Sequence, residues 1–322
     1  MIVFIAGATG ALGRPLVQQL VSAGHEVVGT TRSAEKLGHL RSAGASGIVV
    51  DARDIDALRR AIIAASPHVV IDQLTDLAQP LRPGGFGDWL KGTVALRRDV
   101  TPGLVDAARD GGASRVIAQS AAFMTAPGGP EIVDESASLY LDAPEPLTGT
   151  ITSNAALEAV VTRAEDIDGV VLRYGFLYGP GTYYALDGAF VVQIRHGAFP
   201  IVGTGAGRFP FIHVDDAAAA TVLALDHGST GIYNIVDDNP APMHEWVPYV
   251  AHLIDAPRPA RISVERAERE IGHQLVYYGT QLRGASNDKA RRELGFSPVY
   301  PDWRDGLRAL LAPAASTPLH RV

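Results

Sequence analysis

Short runs rich in apolar residues alternate with amphipathic segments through the first half of the chain. These runs have the length and composition of buried parallel strands, and they lie at 2–6, 26–30, 47–50, 68–72 and 115–119. Helical periodicity between them predicts helices at 12–22, 34–42 and 54–65, and a further helix that ends at Asp110. Strands separated by helices of roughly 10 to 15 residues form βαβ units, so this half predicts a parallel sheet.

The second half of the chain has a less regular pattern. In order, it predicts a long loop over 124–148, a helix over 152–165, a sixth strand over 170–173, a helix over 215–225 that Asp215 caps, and a strand over 232–236. Three more helices are predicted at 246–254, 289–294 and 303–311.

The order of these elements predicts a fold class and a domain organisation. It favours an α/β fold, namely a Rossmann-type doubly wound parallel sheet followed by a smaller C-terminal substrate-binding portion. We expect residues 1–175 to form a dinucleotide-binding domain whose sheet is completed by residues 211–236, and residues 176–322 to form mainly the substrate-binding portion.

Composition narrows the possible classes of function. The 322 residues are 47% apolar and 20% charged, as in ordinary globular proteins, and the net charge of -7 gives no reason to expect a nucleic-acid or membrane partner. The absence of cysteine excludes disulfides, thiolate nucleophiles and Cys-ligated zinc, and no other metal site is expected. No apolar stretch approaches the roughly 18 residues of a membrane span, and no signal peptide is recognised. We therefore expect a cytoplasmic monomer or homodimer that acts on a small molecule.

A glycine-rich segment, Gly7-Ala-Thr-Gly10-Ala-Leu-Gly13, joins the first predicted strand to the first predicted helix. Glycines in such a segment form the turn, let the backbone approach a pyrophosphate and let the helix pack on the strand, while the helix N-terminus supplies N–H donors. Because βαβ units follow it, the segment predicts a dinucleotide site.

The end of the second strand indicates which dinucleotide is bound. NAD sites carry an acid there for the ribose 2′-hydroxyl, whereas this chain has Gly29-Thr30-Thr31-Arg32-Ser33, in which no acid competes. A guanidinium beside hydroxyls suits a 2′-phosphate, so NADPH/NADP is the expected cofactor, with Arg14 nearby; the alternative is that Arg32 is a solvated loop residue. The expected cofactor contacts are Gly7, Thr9, Gly10, Ala11, Leu12, Gly13, Thr31, Arg32, Ser33, Asp51, Ala52, Gln73, Leu74, Asn154, Tyr174, Gly175 and Phe176.

Four motifs spread along the chain resemble those of one family. The Gly7-x-x-Gly10-x-x-Gly13 segment resembles the fingerprint of the extended short-chain dehydrogenases/reductases, which include nucleotide-sugar epimerases and dehydratases. Three later segments are similar to motifs of the same family: Val171-Leu-Arg-Tyr-Gly-Phe-Leu-Tyr-Gly-Pro-Gly181, Phe211-Ile-His-Val-Asp-Asp216 and Ser286-Asn-Asp-Lys-Ala-Arg-Arg-Glu-Leu-Gly295. The resemblance covers nearly the whole chain and implies a doubly wound sheet, with the substrate held by the C-terminal portion.

The catalytic motif of that family is missing from the sequence. Its members use a Tyr-x-x-x-Lys pair, in which the lysine lowers the pKa of the tyrosine so that the phenol exchanges protons near neutral pH. By similarity, Thr150 replaces the tyrosine and Asn154 the lysine, while the family's serine falls at Ala121, beside Ser120. Another register does not restore the pair, because the residues four before Lys36, Lys91 and Lys289 are Arg32, Gly87 and Ala285. The candidate catalytic residues are therefore Ser120, Thr150 and Asn154.

The missing pair leaves two interpretations: cofactor binding without catalysis, or chemistry that needs no strong acid from the protein. Oxidising an isolated sugar hydroxyl needs a base, whereas a ketone beside a phenol is already polarised by an internal hydrogen bond. In this respect the chain resembles the atypical tailoring ketoreductases of angucyclinone (simocyclinone-type) polyketides in antibiotic biosynthesis. That resemblance implies an NADPH-dependent ketoreductase that acts on a bulky aromatic ketone, with substrate assistance in place of the triad.

Two alternatives to the ketoreductase stay open. An NADP(H)-binding regulator without turnover needs an exposed partner surface and little pocket. A nucleotide-sugar epimerase- or dehydratase-like enzyme needs diphosphate ligands, for which Arg195 and Arg208 are the obvious residues.

A ketoreductase needs a roomy apolar cleft, for which we expect a lid over 77–89, with Pro80, Pro83 and Gly84 in it. The expected cleft wall consists of Phe123, Met124, Tyr183, Tyr184, Phe190 and Phe199.

Overall fold

Strands and helices alternate along the chain in the computed structural model, which describes residues 1–77 and 85–312. The strands are β1 (Ile2–Ala6), β2 (Glu26–Thr31), β3 (Ser46–Val49), β4 (Val69–Asp72), β5 (Arg115–Ala121), β6 (Ile132–Val133), β7 (Asp168–Tyr174), β8 (Phe176–Tyr178), β9 (Ile201–Val202), β10 (Arg208–Phe209), β11 (Phe211–His213), β12 (Gly231–Ile235), β13 (Ala241–Pro242), β14 (Arg261–Ile262) and β15 (Gly284–Ala285). The α-helices are α1 (Gly13–Ser22), α2 (Leu37–Ser42), α3 (Ile55–Ala65), α4 (Phe86–Ala95), α5 (Thr101–Asp110), α6 (Leu147–Thr162), α7 (Ala189–Arg195), α8 (Val214–Leu223), α9 (Met243–Leu253), α10 (Val264–Glu270), α11 (His273–Thr280), α12 (Asp288–Leu294) and α13 (Trp303–Leu311). None of these helices is long and apolar enough to cross a membrane.

Seven parallel strands form the main sheet, in the order β3-β2-β1-β4-β5-β7-β12. In the centre, Phe4 of β1 pairs with Val28 of β2 on one side and with Val70 of β4 on the other. The chain first runs outward from β1 to β3 and then outward from β4 to β12, so a crevice opens where the carboxyl ends of β1 and β4 separate. The doubly wound sheet predicted from the sequence is therefore confirmed.

Helices cover both faces of this sheet, which explains why its strands are apolar on both sides. On one face, Leu16 of α1 and Ala217 of α8 share a buried cluster with Ile5 of β1. On the other face, Leu58 of α3 packs in a cluster with Phe4, the neighbour of Ile5 on the same strand. Each fully buried side chain of this kind stabilises the fold by roughly 1.5–3 kcal/mol, so the crevice stands on a rigid base.

The structure corrects several predicted element bounds. The loop predicted over 124–148 is shorter, because α6 already begins at Leu147. The cap of α8 is His213 rather than Asp215, since Nδ1 of His213 accepts the backbone N–H of Asp215 at 3.2 Å. Asp216 instead accepts two backbone N–H groups from the C-terminal segment, at 2.7 and 3.0 Å. The predicted helix over 34–42 divides into a 3₁₀ turn and α2.

A second core, rich in aromatic residues, forms mainly from the chain after residue 176. Phe211, Trp246 and Trp303 are completely buried in it. Short strand pairs support this core: β8 with β11, β9 with β14, and β10 with β13. The separation into domains at residue 175 stays a prediction, but the strand β12 lies at the edge of the main sheet, within the range 211–236 expected to complete it.

Candidate cofactor and substrate cleft

A cleft of about 1130 Å³ opens at the carboxyl ends of the central strands. Residues that follow β1, β2, β3 and β4 line one end, which we call the adenosine end; residues of α4, the 181–200 segment and α11 line the other, which we call the substrate end. Doubly wound proteins bind their ligands in this crevice. The volume exceeds the roughly 300–1,000 Å³ of ordinary small-molecule sites, so two ligands have room side by side.

The glycine-rich loop fits a dinucleotide because it has no space for side chains. Gly7 has a φ of 92°, and a Cβ there would lie 2.6 Å from the carbonyl oxygen of Gln73. A Cβ at Gly13 would lie 2.5 Å from the carbonyl oxygen of Gly7. The N-terminus of α1 has no side-chain cap and no acid in its first turn. Its N–H groups and its positive dipole end are therefore available to a phosphate.

Two arginines, rather than one, occupy the adenosine end. Arg32, at the end of β2, donates to Asp76 Oδ1 at 3.1 Å, and Arg53, shortly after β3, donates to Asp76 Oδ2 at 2.6 Å. Sequence analysis predicted Arg32 as a cofactor contact but did not predict Arg53. The one sequence feature that points to Arg53 is its position two residues after Asp51, which is itself an expected cofactor contact. The segment at the end of β2 has no acid, as its sequence shows, but Asp76 reaches Arg32 from the loop after β4.

The charge of Asp76 is secured by these two partners. Partial burial opposes its ionisation, but the hydrogen bonds and charges of Arg53 and Arg32 outweigh burial and hold the pKa of Asp76 below its ordinary value. Hydroxyl groups lie close by, since Thr9 donates to Thr31 Oγ1 at 3.2 Å and the N–H of Ser33 donates to the same oxygen at 3.2 Å. The adenosine end is thus a charged, hydroxyl-rich surface.

Ser120, Asn154 and Glu158 form a buried network with Arg173 behind the cleft wall. The Glu158 carboxylate accepts two hydrogen bonds of 2.7 Å from the Arg173 guanidinium and lies 2.7 Å from Ser120 Oγ. Asn154 donates to the carbonyl of Thr150 at 2.8 Å, and its Oδ1 lies 3.1 Å from Ser120 Oγ. Asn154 is completely buried and does not line the cleft. It links α6 to Ser120 of β5, and its catalytic and cofactor-binding roles stay predictions.

Three buried polar atoms at the cleft lack a protein partner within residues 1–77 and 85–312. They are Thr150 Oγ1, Gln73 Oε1 and Gln274 Oε1, and all three residues line the cleft. A buried polar atom without a hydrogen bond costs about 1–3 kcal/mol, so these atoms suit the polar groups of a ligand. Sequence analysis missed Gln274, because nothing local shows that this residue of α11 faces a cleft.

Burial raises the pKa of the tyrosines that line the cleft, which are Tyr174, Tyr183, Tyr184 and Tyr278. For Tyr174 it raises the pKa to about 12, against the opposing hydrogen bonds with Thr221 and Gln73. A phenol with a raised pKa is the opposite of the activated tyrosine that the Tyr-x-x-x-Lys motif supplies.

Aromatic rings build the substrate end. Phe123 and Phe176 stack with ring centroids 4.0 Å apart at 14°, and Tyr278 meets Phe176 edge-on at 5.5 Å. Across the cleft, Trp89 meets Tyr183 edge-on at 4.9 Å and donates its indole N–H to the Tyr183 hydroxyl at 3.0 Å. The cleft therefore offers flat apolar surfaces, which suit a flat aromatic ligand.

Most of the residues that the sequence predicted lie together. The cleft is lined by Gly7, Thr9, Gly10, Ala11, Leu12, Gly13, Thr31, Arg32, Ser33, Asp51, Ala52, Gln73, Leu74, Ser120, Thr150, Tyr174, Gly175 and Phe176, and by the predicted wall residues Phe123, Met124, Tyr183, Tyr184, Phe190 and Phe199. From the predicted lid, Leu77, Phe86 and Trp89 line it, whereas Pro80, Pro83 and Gly84 lie outside the described residues.

The two predicted diphosphate ligands lie elsewhere. Arg208 forms an ion pair of 2.6 Å with Glu131, and Arg195 donates to the carbonyl of Leu186 at 3.0 Å. Neither arginine lines the cleft.

A family model described as the NAD dependent epimerase/dehydratase family matches residues 3–236, which include the glycine-rich loop and all seven strands of the main sheet except the first residue of β1. The chain belongs to this family. The resemblance inferred from the four motifs is thereby confirmed at the level of the epimerase/dehydratase family.

Several relatives of this chain carry reductase names. The chain is 44% identical over 312 residues to a 3-diazoavenalumate denitrifying reductase of a Streptomyces species, with 95% of this chain and 99% of the relative covered. It is 26% identical over 325 residues to the 4-hydroxy-2-methyl-3-oxo-4-farnesyl-3,4-dihydroquinoline-1-oxide ketoreductase of Stigmatella aurantiaca, with 91% of each chain covered. This member of the epimerase/dehydratase family is an enzyme, an NAD(P)-dependent oxidoreductase.

A solved structure supports the fold. The UDP-glucose 4-epimerase of Thermotoga maritima, in complex with UDP-glucose, superposes with a TM-score of 0.75 at 18% identity, over 97% of each chain. At that identity the likeness establishes the fold of the epimerase/dehydratase family and leaves the substrate open.

Proposed function

We propose that the protein is an NADPH-dependent reductase of a ketone on a bulky, flat aromatic substrate of the angucyclinone type, in the tailoring of an antibiotic polyketide. One observation carries the proposal: the cleft combines aromatic walls with tyrosines of raised pKa, in a chain that has no Tyr-x-x-x-Lys pair. Such a cleft favours a substrate that accepts a hydride without an acid from the protein.

The residues at the adenosine end fit NADPH. The loop at Gly7 and Gly13 packs too closely for side chains, and the uncapped N-terminus of α1 that follows it suits a pyrophosphate. Arg32 and Arg53 offer two guanidinium groups to a 2′-phosphate. When bound, NADPH supplies the hydride that a reduction needs. The choice of NADPH over NADH is inferred from Arg32.

The residues of the substrate end orient the substrate and exclude water. Phe123, Phe176 and Tyr278 provide flat surfaces on which a polycyclic substrate stacks. The hydroxyl of Thr150, which has no partner among residues 1–77 and 85–312, donates a hydrogen bond to a substrate oxygen and stabilises the negative charge that develops there. Thr150 keeps its proton, because an alcohol is far too weak an acid to give it up.

The proton that completes the reduction comes from the substrate in this proposal. Hydride addition to a ketone carbon leaves an alkoxide, which needs one proton. A phenol in the peri or ortho position already donates an internal hydrogen bond to that oxygen, and it can transfer the proton and then recover it from water. Ketone reduction then balances without an acidic side chain.

The test compares a phenolic aromatic ketone with its O-methyl ether. The two have nearly the same shape, and only the first has an internal donor. We expect both to bind with similar dissociation constants and the ether to be reduced about 100-fold more slowly or worse, the usual contribution of a general acid. Equal rates for both would show that water or a side chain donates the proton, and would contradict substrate assistance.

A second candidate function is the reductive removal of nitrogen from a diazo-bearing aromatic substrate. The observation in its favour is the 44% identity to the 3-diazoavenalumate denitrifying reductase over nearly the full length of both chains. The chemistry also suits a cleft without an acid: an aryl diazonium ion takes up a hydride at nitrogen to give an aryldiazene, which loses N₂ and keeps the hydrogen on the ring. No proton from the protein enters that balance.

A panel of substrates separates the candidates. An aryl diazonium salt and a phenolic aromatic ketone are each supplied with NADPH, and UDP-glucose is supplied with NAD⁺ or NADP⁺, because its conversion begins with oxidation of a hydroxyl. The nicotinamide is followed by absorbance and the products by mass spectrometry. Reduction of the ketone alone supports the leading proposal, and release of N₂ with formation of the arene supports the second. Turnover of UDP-glucose alone would return the protein to nucleotide-sugar chemistry, and tight NADPH binding without any turnover would favour a regulator.

A further inference from the structure

Asp76 lies between the two arginines of the adenosine end. It accepts one hydrogen bond from Arg32 and one from Arg53, at 3.1 and 2.6 Å, with one carboxylate oxygen for each. Only 14% of the Asp76 side chain is exposed, against 49% for Arg32 and 42% for Arg53. The carboxylate thus sits on the inner side of both guanidinium groups, and they face solvent on their other sides.

The backbone holds Asp76 at this place. Its N–H donates to Thr93 Oγ1 at 2.9 Å, and Thr93 is a buried residue of α4. Gly92 of the same helix leaves the room that the carboxylate occupies, since a side chain at Gly92 would collide with it. Because both contacts are with α4, the backbone of Asp76 is fixed at the site independently of the arginines, and its carboxylate bonds to both of them.

A fixed carboxylate affects the two cofactors in opposite ways. The 2′-phosphate of NADPH carries roughly two negative charges, and it would share the guanidinium groups with an anion that repels it. The ribose of NADH has a neutral 2′-hydroxyl instead, which the negative charge of Asp76 does not repel. Asp76 itself does not line the cleft, so it acts on the cofactor through Arg32 and Arg53, which do. An acid at this end therefore opposes the preference that Arg32 creates.

We propose that Asp76 is a specificity-determining residue that limits the preference for NADPH and keeps the site able to bind NADH. The inference rests on the proposed function, because it needs the 2′-phosphate to bind at Arg32. It identifies an acid of the adenosine end that does not follow β2, as in ordinary NAD sites, but comes from the loop after β4.

The test replaces Asp76 with Asn, which keeps the size and one hydrogen-bond acceptor and removes the charge. Dissociation constants of NADPH and NADH are measured by titration calorimetry on the full chain without substrate. We expect the constant for NADPH to fall about fivefold, the size of a partly exposed charge interaction, and the constant for NADH to stay or rise. The selectivity for NADPH should therefore increase.

The control is Asp56→Asn, which removes the same charge from an exposed position in the first turn of α3. It should leave the selectivity unchanged, so a general effect of net charge is separated from the local one. Asp76→Ser provides a second variant with the same expected shift, and thermal unfolding of both variants confirms that they fold.

Arg32→Ala, measured in parallel, separates a failure of the inference about Asp76 from a failure of the proposed cofactor site. If Arg32→Ala weakens NADPH binding and neither Asp76 variant raises the selectivity, the inference about Asp76 is wrong and the proposed cofactor site stands. Weaker NADPH binding in both Asp76 variants would likewise overturn it, because Asp76 would then orient the arginines for the phosphate. If Arg32→Ala leaves NADPH binding unchanged, the 2′-phosphate binds elsewhere, and the proposed cofactor site and the inference fail together.

Discussion

The two ends of the cleft differ in how their polar groups are satisfied. At the adenosine end, Arg32 and Arg53 are well exposed, yet both already have a partner in Asp76. At the substrate end, Thr150 Oγ1 and Gln274 Oε1 are buried and lack a partner among the described residues. A charged, solvated end discriminates by electrostatics, which a single substitution can shift. A buried end discriminates by shape and by unmet hydrogen bonds. At either end, the largest losses are expected where a new atom collides with the backbone that shapes the cleft.

Gly7→Ala should have the largest effect, because it displaces the backbone that forms the adenosine end. The new Cβ would meet the Gln73 carbonyl oxygen at 2.6 Å, on a backbone whose φ of 92° already disfavours alanine. We expect the NADPH dissociation constant to rise about 100-fold, as displacements near 1 Å do at binding sites. The matched control is Gly24→Ala, where φ is 82° but no atom lies within 4 Å; it should reduce stability and leave binding intact. Equal effects of both on binding would show that strain, and not cofactor contact, explains Gly7.

Arg32→Ala tests whether electrostatics determine cofactor binding at the adenosine end. A charged hydrogen bond contributes about 1.5–3 kcal/mol, so the NADPH dissociation constant should rise about tenfold or more, with little change for NADH. Arg59→Ala is a suitable control, because Arg59 is also exposed and pairs with an acid, Asp110, outside the cleft. Equal affinity of the unmodified protein for NADH and NADPH would contradict the assignment of Arg32.

Thr150→Val tests the role of a buried hydroxyl at the substrate end and should have the smallest effect. If the hydroxyl only donates a hydrogen bond, kcat for the phenolic ketone should fall less than about tenfold. Thr152→Val, at an exposed position of the same helix, is the control. A loss of about 100-fold or more, with NADPH binding intact, would make Thr150 an acid and end the substrate-assisted proposal.

The sequence predicted the adenosine end well because its signals are local. The turn at Gly7, the uncapped start of α1 and the residues after β2 all lie within one βαβ unit, where chain order determines spatial order. Asp76 could not be predicted, because its ion pair with Arg32 joins residues 44 positions apart. Asp76 reaches Arg32 because the loop after β4 is anchored to α4, and nothing in the local sequence shows that contact.

For the substrate end, the sequence predicted which aromatic residues line the cleft, but it did not predict how deeply each residue of α6 is buried. The aromatic residues expected around it do line the cleft, since large apolar side chains on loops above a sheet have few other places to be buried. Thr150 and Asn154 show the limit: they are four residues apart on one helix, yet the first lines the cleft and the second is covered by Ser120. Spacing gives the helix face, but the depth of a residue depends on the strand it packs against.

The buried network around Asn154 has a further consequence: a Tyr-x-x-x-Lys pair cannot be built into α6 by one substitution, because positions 150 and 154 hold Thr and Asn. A lysine at position 154 would place a second cation beside Arg173, in a site whose carboxylate, Glu158, already binds that arginine with both oxygens. Desolvating an unpaired charge there costs several kcal/mol. A tyrosine placed at position 150 alone would lack the lysine that lowers the pKa of the phenol in a Tyr-x-x-x-Lys pair. Building the pair into α6 would therefore need both substitutions together with a change in the core that accommodates the new charge.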